Sequence, residues 1–137
     1  METTLIETID KELKKSNKIS LVTVTSVEGI TPSKVGMMMV VFDDGTSIGT
    51  VGGGNFELVV RNRSLKQLEV GESELFNYKS STVNIDTFIK VFNPKEKLII
   101  VGGGHVGYEV YKIAKTQDFH IAIFDTREEI CNKERFP

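Results

Sequence analysis

The sequence predicts an α/β protein in two parts, a small mixed α/β module followed by the opening of a parallel β-α-β unit. Three observations predict it. Alternating β-branched stretches such as "ISLVTVTSV", from Ile19, lie between two helix-like segments in the first part. Beyond Asn93-Pro94 the strands become continuous apolar runs, "KLIIV" and "HIAIFD", the pattern of strands buried on both faces. A Val-Gly-Gly-Gly run occurs twice, at Val51 and at Val101, each time after a strand and before a helix.

Each element has its own signal. Leu5, Ile9 and Leu13 recur every four residues, and Thr4 with Glu7 reads as a capping box, predicting an amphipathic helix from Thr4 to Lys15. "MMMVVF" and "TSIGTV" alternate and are joined by "DDG" at Asp43 to Gly45, a hairpin. "NFELVVRNRSLKQLEV" reads as a helix ending at Gly71, and "ELFNYK" and "DTFIKVF" as two further strands. Asn93-Pro94 marks the boundary, since a residue before proline is biased away from the helical region; the domains are predicted as 1–93 and 94–137. In the second, "HVGYEVYKIAKTQ" carries Val106, Val110, Ile113 and Ala114 at helical spacing. "TREEICNKERF" after the last strand reads as the charged start of another helix.

Composition narrows the function classes. The chain is 137 residues long, 39% hydrophobic and 26% charged, as ordinary soluble domains are. Its 17 Lys and Arg against 19 Asp and Glu give a formal charge of −2, which offers no field for a polyanion and argues against nucleic acid. Apolar runs are far too short to span a membrane, and the N-terminus, "METTLIETIDKELKKS", lacks the apolar core of a signal peptide. Cys131 is the single cysteine, which excludes an internal disulfide and fits a reducing compartment, so a cytoplasmic protein is expected.

The second glycine run is a dinucleotide fingerprint in its required context. Gly102, Gly104 and Gly107 form G-x-G-x-x-G directly after a strand and at the start of a helix, the arrangement of a Rossmann-like unit. Gly102 allows the tight turn, Gly104 the approach of a pyrophosphate, and Gly107 close packing of helix on strand. The unpaired N–H groups of the helix start favour an anion there. Asp125 ends the next strand, where an acid takes the ribose hydroxyls and prefers NAD to NADP. Two readings stand side by side, a nucleotide or other phosphate-bearing ligand and glycines that serve packing alone. His105 falls in the first helical turn, where it either donates to a phosphate or faces solvent.

The first run, Gly52, Gly53 and Gly54, also lies between a strand and a helix but lacks the G-x-G-x-x-G spacing. Asn55 reads as the helix N-cap, and Glu57 as a first-turn acid that suits the dipole while being a poor neighbour for a phosphate. Here too an anion cradle and a plain glycine bend are both open. No nucleophile, general base or metal cluster emerges; Glu57 and Glu28 are acids beside glycine turns with no visible partner, so no intrinsic turnover is expected.

The residues resemble a known family. "GGGHVGYEVYKIAKTQDFHIAIFDTREEICNKERFP" is similar to the Rossmann half of the xanthine dehydrogenase accessory factors, the XdhC/CoxI family, through Gly-His-Val-Gly at Gly104 to Gly107, Asp125 with Arg127-Glu128, Asn132 and Arg135-Phe136-Pro137. Gly29, Thr31-Pro32, Gly36, Met39 and "DGTSIGTVGGGNFE" fall on the pattern of that family's N-terminal domain. The resemblance implies a chaperone that binds the molybdenum cofactor (molybdopterin), holds it during sulfuration and delivers it to an apo molybdenum hydroxylase, with a cysteine desulfurase as a further partner. The pterin's phosphate suits a glycine turn at a helix start. Asn55 stands where the family commonly has cysteine, and "NIDT" at Asn84 to Thr87 where it has Cys-Gly-Gly; Ile30 and Ser33 replace a serine and an arginine, with Lys34 a nearby point charge. An NAD(P)-binding oxidoreductase and a non-catalytic assembly or regulatory relative are the alternatives. A two-stranded parallel sheet rarely stands alone, so the unit is expected either to complete its sheet in a homo-oligomer or to be one piece of a longer protein.

Overall fold

A computed structural model describes residues 2–137. Two compact units are present, the first ending at Pro94 and the second covering Lys95–Pro137. The mixed α/β character expected from the sequence is what the chain adopts.

In the first unit α1 (Glu2–Lys14) precedes β1 (Ile19–Gly29), β2 (Met38–Phe42) and β3 (Ser47–Gly49); then come α2 (Gly54–Val70), β4 (Glu74–Lys79) and β5 (Val83–Phe92). The five strands form one antiparallel sheet of order β3-β2-β1-β5-β4. Alternation along each strand sends side chains to opposite faces. Val22, Val24, Met39, Val41, Ile85 and Ile89 meet Phe56 and Val60 of α2 in one core. Ile19 and Val40 meet Leu5 of α1 in a second. The hairpin between β2 and β3 closes as expected, with Phe42 N–H donating to the Thr46 carbonyl at 2.9 Å and Gly45 at φ 86°.

Two expectations need correction here. The first helix already begins at Glu2, so Thr4 lies within it and is no cap; its carbonyl accepts the Thr8 hydroxyl at 2.8 Å. The third strand stops at Gly49, whose Cβ, if present, would stand 2.6 Å from the Met38 carbonyl oxygen. At φ 88° the chain turns away there, and Thr50 and Val51 enter the glycine turn instead.

The second unit is β6 (Lys97–Val101), α3 (His105–Lys115) and β7 (His120–Phe124), with the strands parallel from Lys97↔His120 to Val101↔Phe124. The strands are not buried on both faces. Ile99 and Val101 are 54% and 83% exposed, because α3 is the only helix of this unit among the described residues. Of Val106, Val110, Ile113 and Ala114, α3 buries only Ala114, and with it Gly107 and Tyr111. Gly107 decides this, since a Cβ there would lie 1.9 Å from the Gly102 carbonyl oxygen, and only a bare backbone lets that face seat on β6. The expected final helix is absent: residues 126–137 run in turns. Asn132 contributes to this: its side chain donates to the Glu129 carbonyl at 3.0 Å and accepts the Arg135 N–H at 3.0 Å, bonds that compete with the helical ladder.

No helix among the described residues is long and apolar enough to cross a membrane.

Candidate functional site

The first glycine turn connects β3 to α2. Gly52, Gly53 and Gly54 all have positive φ, at 122°, 78° and 66°. Gly52 is where two loops dock: a Cβ there would meet the Ser33 Oγ at 2.2 Å and the Ser33 backbone nitrogen at 2.9 Å. Around Gly53 and Gly54 the same construction meets no atom within 4 Å, so this side of the turn is open.

An anion from the protein itself already sits on part of the turn. The Glu57 carboxylate accepts the Thr50 hydroxyl at 2.5 Å, the Val51 N–H at 3.1 Å and the Gly53 N–H at 2.9 Å. Burial pushes its pKa up, but these three hydrogen bonds outweigh that and hold it below the usual carboxylate range. Thr50 in turn accepts the Gly52 N–H at 3.1 Å.

Asn55 is not the N-cap. Gly53 holds that position at φ 78° and ψ −169°, a region open essentially to glycine, and no side chain caps the helix. The Asn55 amide instead donates to the Tyr78 hydroxyl at 3.0 Å, tying α2 to β4. No side chain caps the first-turn N–H groups of α2, which have no partner inside a helix, and a Cβ built on Gly53 or Gly54 would meet open space. A cleft of about 450 Å³ lined by Leu5, Lys34, Gly36 and Thr50 lies next to this turn. Thr50 is a participant that the sequence did not single out, although Thr-Val before three glycines was its available signal, and Ser33, noted there only as a replacement for arginine, is what seats on Gly52.

The second glycine turn connects β6 to α3. Gly102 has φ 103°, and its N–H donates to the Phe124 carbonyl at 2.7 Å. Gly103 is buried, and a Cβ on it would press on Ile130 at 3.1 Å and Phe136 at 3.2 Å. Phe136 stands edge-on to Tyr108 and Tyr111, and Tyr111 donates its hydroxyl to the Pro137 carbonyl. Arg135 lies over the Tyr108 ring, 4.7 Å from its centroid, and donates to the Gly103 carbonyl at 3.2 Å. Residues 126–137 thus strap the inner side of the turn. Gly104 caps α3 at φ −69°, with no side-chain cap, and His105 is exposed.

Asp125 is brought to this turn as expected, but its carboxylate is engaged. Oδ2 accepts the Gly103 N–H at 2.8 Å and Arg127 Nη2 at 2.9 Å; Oδ1 accepts the Arg127 N–H at 3.0 Å and Nε at 2.9 Å. The Arg127 guanidinium, then its backbone N–H and that of Gly103, hold the Asp125 carboxyl far below the usual range. A cleft of about 690 Å³ opens beside them, lined by Val101, Gly102, Phe124, Asp125, Thr126 and Arg127. Arg127 is the residue that site reasoning from the fingerprint left out.

The two turns belong to different units. Among the described residues no three His, Cys, Asp or Glu side chains are grouped as a metal site, and Cys131 is free and half-buried.

Three similarities to known proteins are found. Residues 13–79 match the model of the XdhC and CoxI family. A protein of Escherichia coli K12 described as uncharacterized, YqeB, is 32% identical over 120 residues; these cover 80% of this chain and 22% of that protein. The chain thus spans about a fifth of the length of this curated relative. A crystal structure described as a xanthine dehydrogenase from Bacillus halodurans superposes with a TM-score of 0.51 at 16% identity, covering 95% of this chain and 65% of that one. At that identity the likeness is one of fold.

Proposed function

We propose a function from the premise that this chain, over residues 13–79, belongs to the XdhC and CoxI family. The protein is an accessory factor of a xanthine-dehydrogenase-type molybdenum hydroxylase, and it holds the molybdenum cofactor by its phosphate for delivery to the apo-enzyme. The observation that carries this reading is the open, uncapped glycine turn that starts α2 inside the matched segment.

The residues fit one end of the cofactor. Bare amides at the start of a helix favour a phosphate through both hydrogen bonding and the macrodipole. Gly53 and Gly54 leave room for it, and Lys34, exposed next to Ser33 in the loop that docks on Gly52, supplies a cation as a point charge. Glu57 keeps Val51 and Gly53 N–H groups occupied, so the phosphate takes the groups beyond them, at Gly54, Asn55 and Phe56. The turn offers the metal end no thiol: Asn55 stands where the family commonly has cysteine, and its amide donates to the Tyr78 hydroxyl. Cofactor held in this way keeps its metal free for sulfuration and transfer by partner proteins. That is a carrier's role, and it needs no general base or nucleophile.

Anaerobic incubation of the purified chain with molybdopterin, followed by gel filtration and fluorescence of the oxidised pterin, tests the reading. Retained pterin in the wild type, lost in Gly54→Val and weakened in Lys34→Gln, is the expected result. A wild-type chain that retains no pterin and captures no apo-hydroxylase ends the proposal.

A further inference from the structure

The cleft at the second glycine turn presents a cation where a ribose-binding acid was expected. Asp125 is 4% exposed at its side chain, whereas Arg127, packed against it, is 51% exposed. A carboxylate has about four lone-pair positions. Those of Asp125 are filled by two backbone N–H groups and by Nε and Nη2 of Arg127. The two hydroxyls of an unmodified ribose would have to strip a guanidinium from its partner before they could donate there.

Arg127, by contrast, has capacity left. A guanidinium carries five N–H donors in a planar fork. Asp125 takes one from Nε and one from Nη2, which leaves the Nη1 pair and the second Nη2 hydrogen along the outer edge. That edge has the geometry for bidentate contact with a phosphate. It lies beside the turn: a Cβ built on Gly104 would have Arg127 Nη2 as its one neighbour within 4 Å, at 3.9 Å. The adjoining cleft, about 690 Å³, is of the size that takes a nucleotide portion of a ligand.

We infer that this cleft selects an adenine dinucleotide whose ribose carries a 2′-phosphate over one with a free ribose diol, and that Arg127, held by Asp125, reads that phosphate. The preference for the unphosphorylated dinucleotide expected from an acid at the end of β7 is reversed, because that acid is neutralised by its neighbour two residues along. The inference stands on the second unit alone and is independent of pterin binding at the first turn.

Isothermal titration of the full chain with NADP⁺ and NAD⁺ at matched ionic strength tests it. NADP⁺ is expected to bind at least about tenfold more tightly, the scale of one bidentate charged contact. Arg127→Gln is expected to abolish that ratio or invert it, since it frees the Asp125 oxygens for a diol. Arg127→Lys keeps the ion pair with Asp125 but loses the fork, so it should fold and still lose most of the discrimination; it decides the matter if Arg127→Gln does not fold. Equal affinities in the wild type, no heat with either dinucleotide at millimolar concentration, or an unchanged ratio in Arg127→Lys would each overturn the inference. Pterin retention measured on the same variants is expected to be unaffected, which separates a failure here from a failure of the carrier role.

Discussion

Glu57 reaches back one helical turn to Gly53, accepting its N–H at 2.9 Å. With Thr50 and Val51 on the same carboxylate, one side chain of α2 fastens the strand end and the turn that precede it. The acid beside the glycines is therefore a structural anion that holds the shape of the turn.

Removing that anion should loosen the turn. Glu57→Ala leaves two N–H groups and a hydroxyl without their acceptor, and hydrogen bonds to a charged group contribute about 1.5–3 kcal/mol. Urea unfolding of the variant is expected to show a loss of about that size, with faster amide exchange at Val51 and Gly53. A loss below about 0.5 kcal/mol would mean that the turn holds itself without the carboxylate.

The same bonds set a pH dependence. The Glu57 pKa is depressed in the folded state, so its contribution is complete above the unfolded value, about 4.3, and is lost as pH falls through the folded value. Asp44 and Glu74 are depressed as well, by Thr46 and by Arg63, so other groups of the first unit also lose stability in acid. Subtracting the Glu57→Gln curve isolates the one group. The difference between wild type and variant should be greatest near pH 6 and shrink below pH 4.

Two glycine-to-alanine changes should separate packing glycines from open ones. Gly107→Ala drives a methyl to 1.9 Å from the Gly102 carbonyl oxygen, and overpacking against backbone should cost about 3 kcal/mol in the second unit. Gly54→Ala meets nothing within 4 Å and carries only the left-handed backbone penalty, about 1–2 kcal/mol. Limited proteolysis of the two variants is expected to open the second unit in Gly107→Ala and to leave both units resistant in Gly54→Ala.

Ser64 is fully buried on α2, and its hydroxyl has no hydrogen-bond partner among the described residues. Ser64→Ala removes an unpaired polar atom and improves helix propensity, so a gain of about 1 kcal/mol is expected. A destabilised variant in thermal unfolding would show that the hydroxyl has a partner.

Much of the architecture could be read along the chain because its causes are local. The alternation in "ISLVTVTSV" and "DTFIKVF" placed β1 and β5, and Gly71, at φ 80°, ends α2 where it was expected. The two glycine turns were likewise visible, since each lies directly between a strand and a helix. What failed were readings that needed to know what stands opposite. Asn55 has the chemistry of a cap, but Tyr78, distant in sequence, claims its amide. Val106, Val110 and Ile113 have the spacing of a buried stripe, but the contact of Gly107 with Gly102 turns another face inward.

By itself the sequence determined the strand and helix grammar, the two glycine turns and the absence of a thiol at the first, because these depend on residue type and near neighbours. Only the tertiary structure decided which charges the turns present. Glu57 folds back onto one and Arg127 covers the acid of the other, and neither pairing follows from residue spacing, since each depends on where a turn aims a side chain in space.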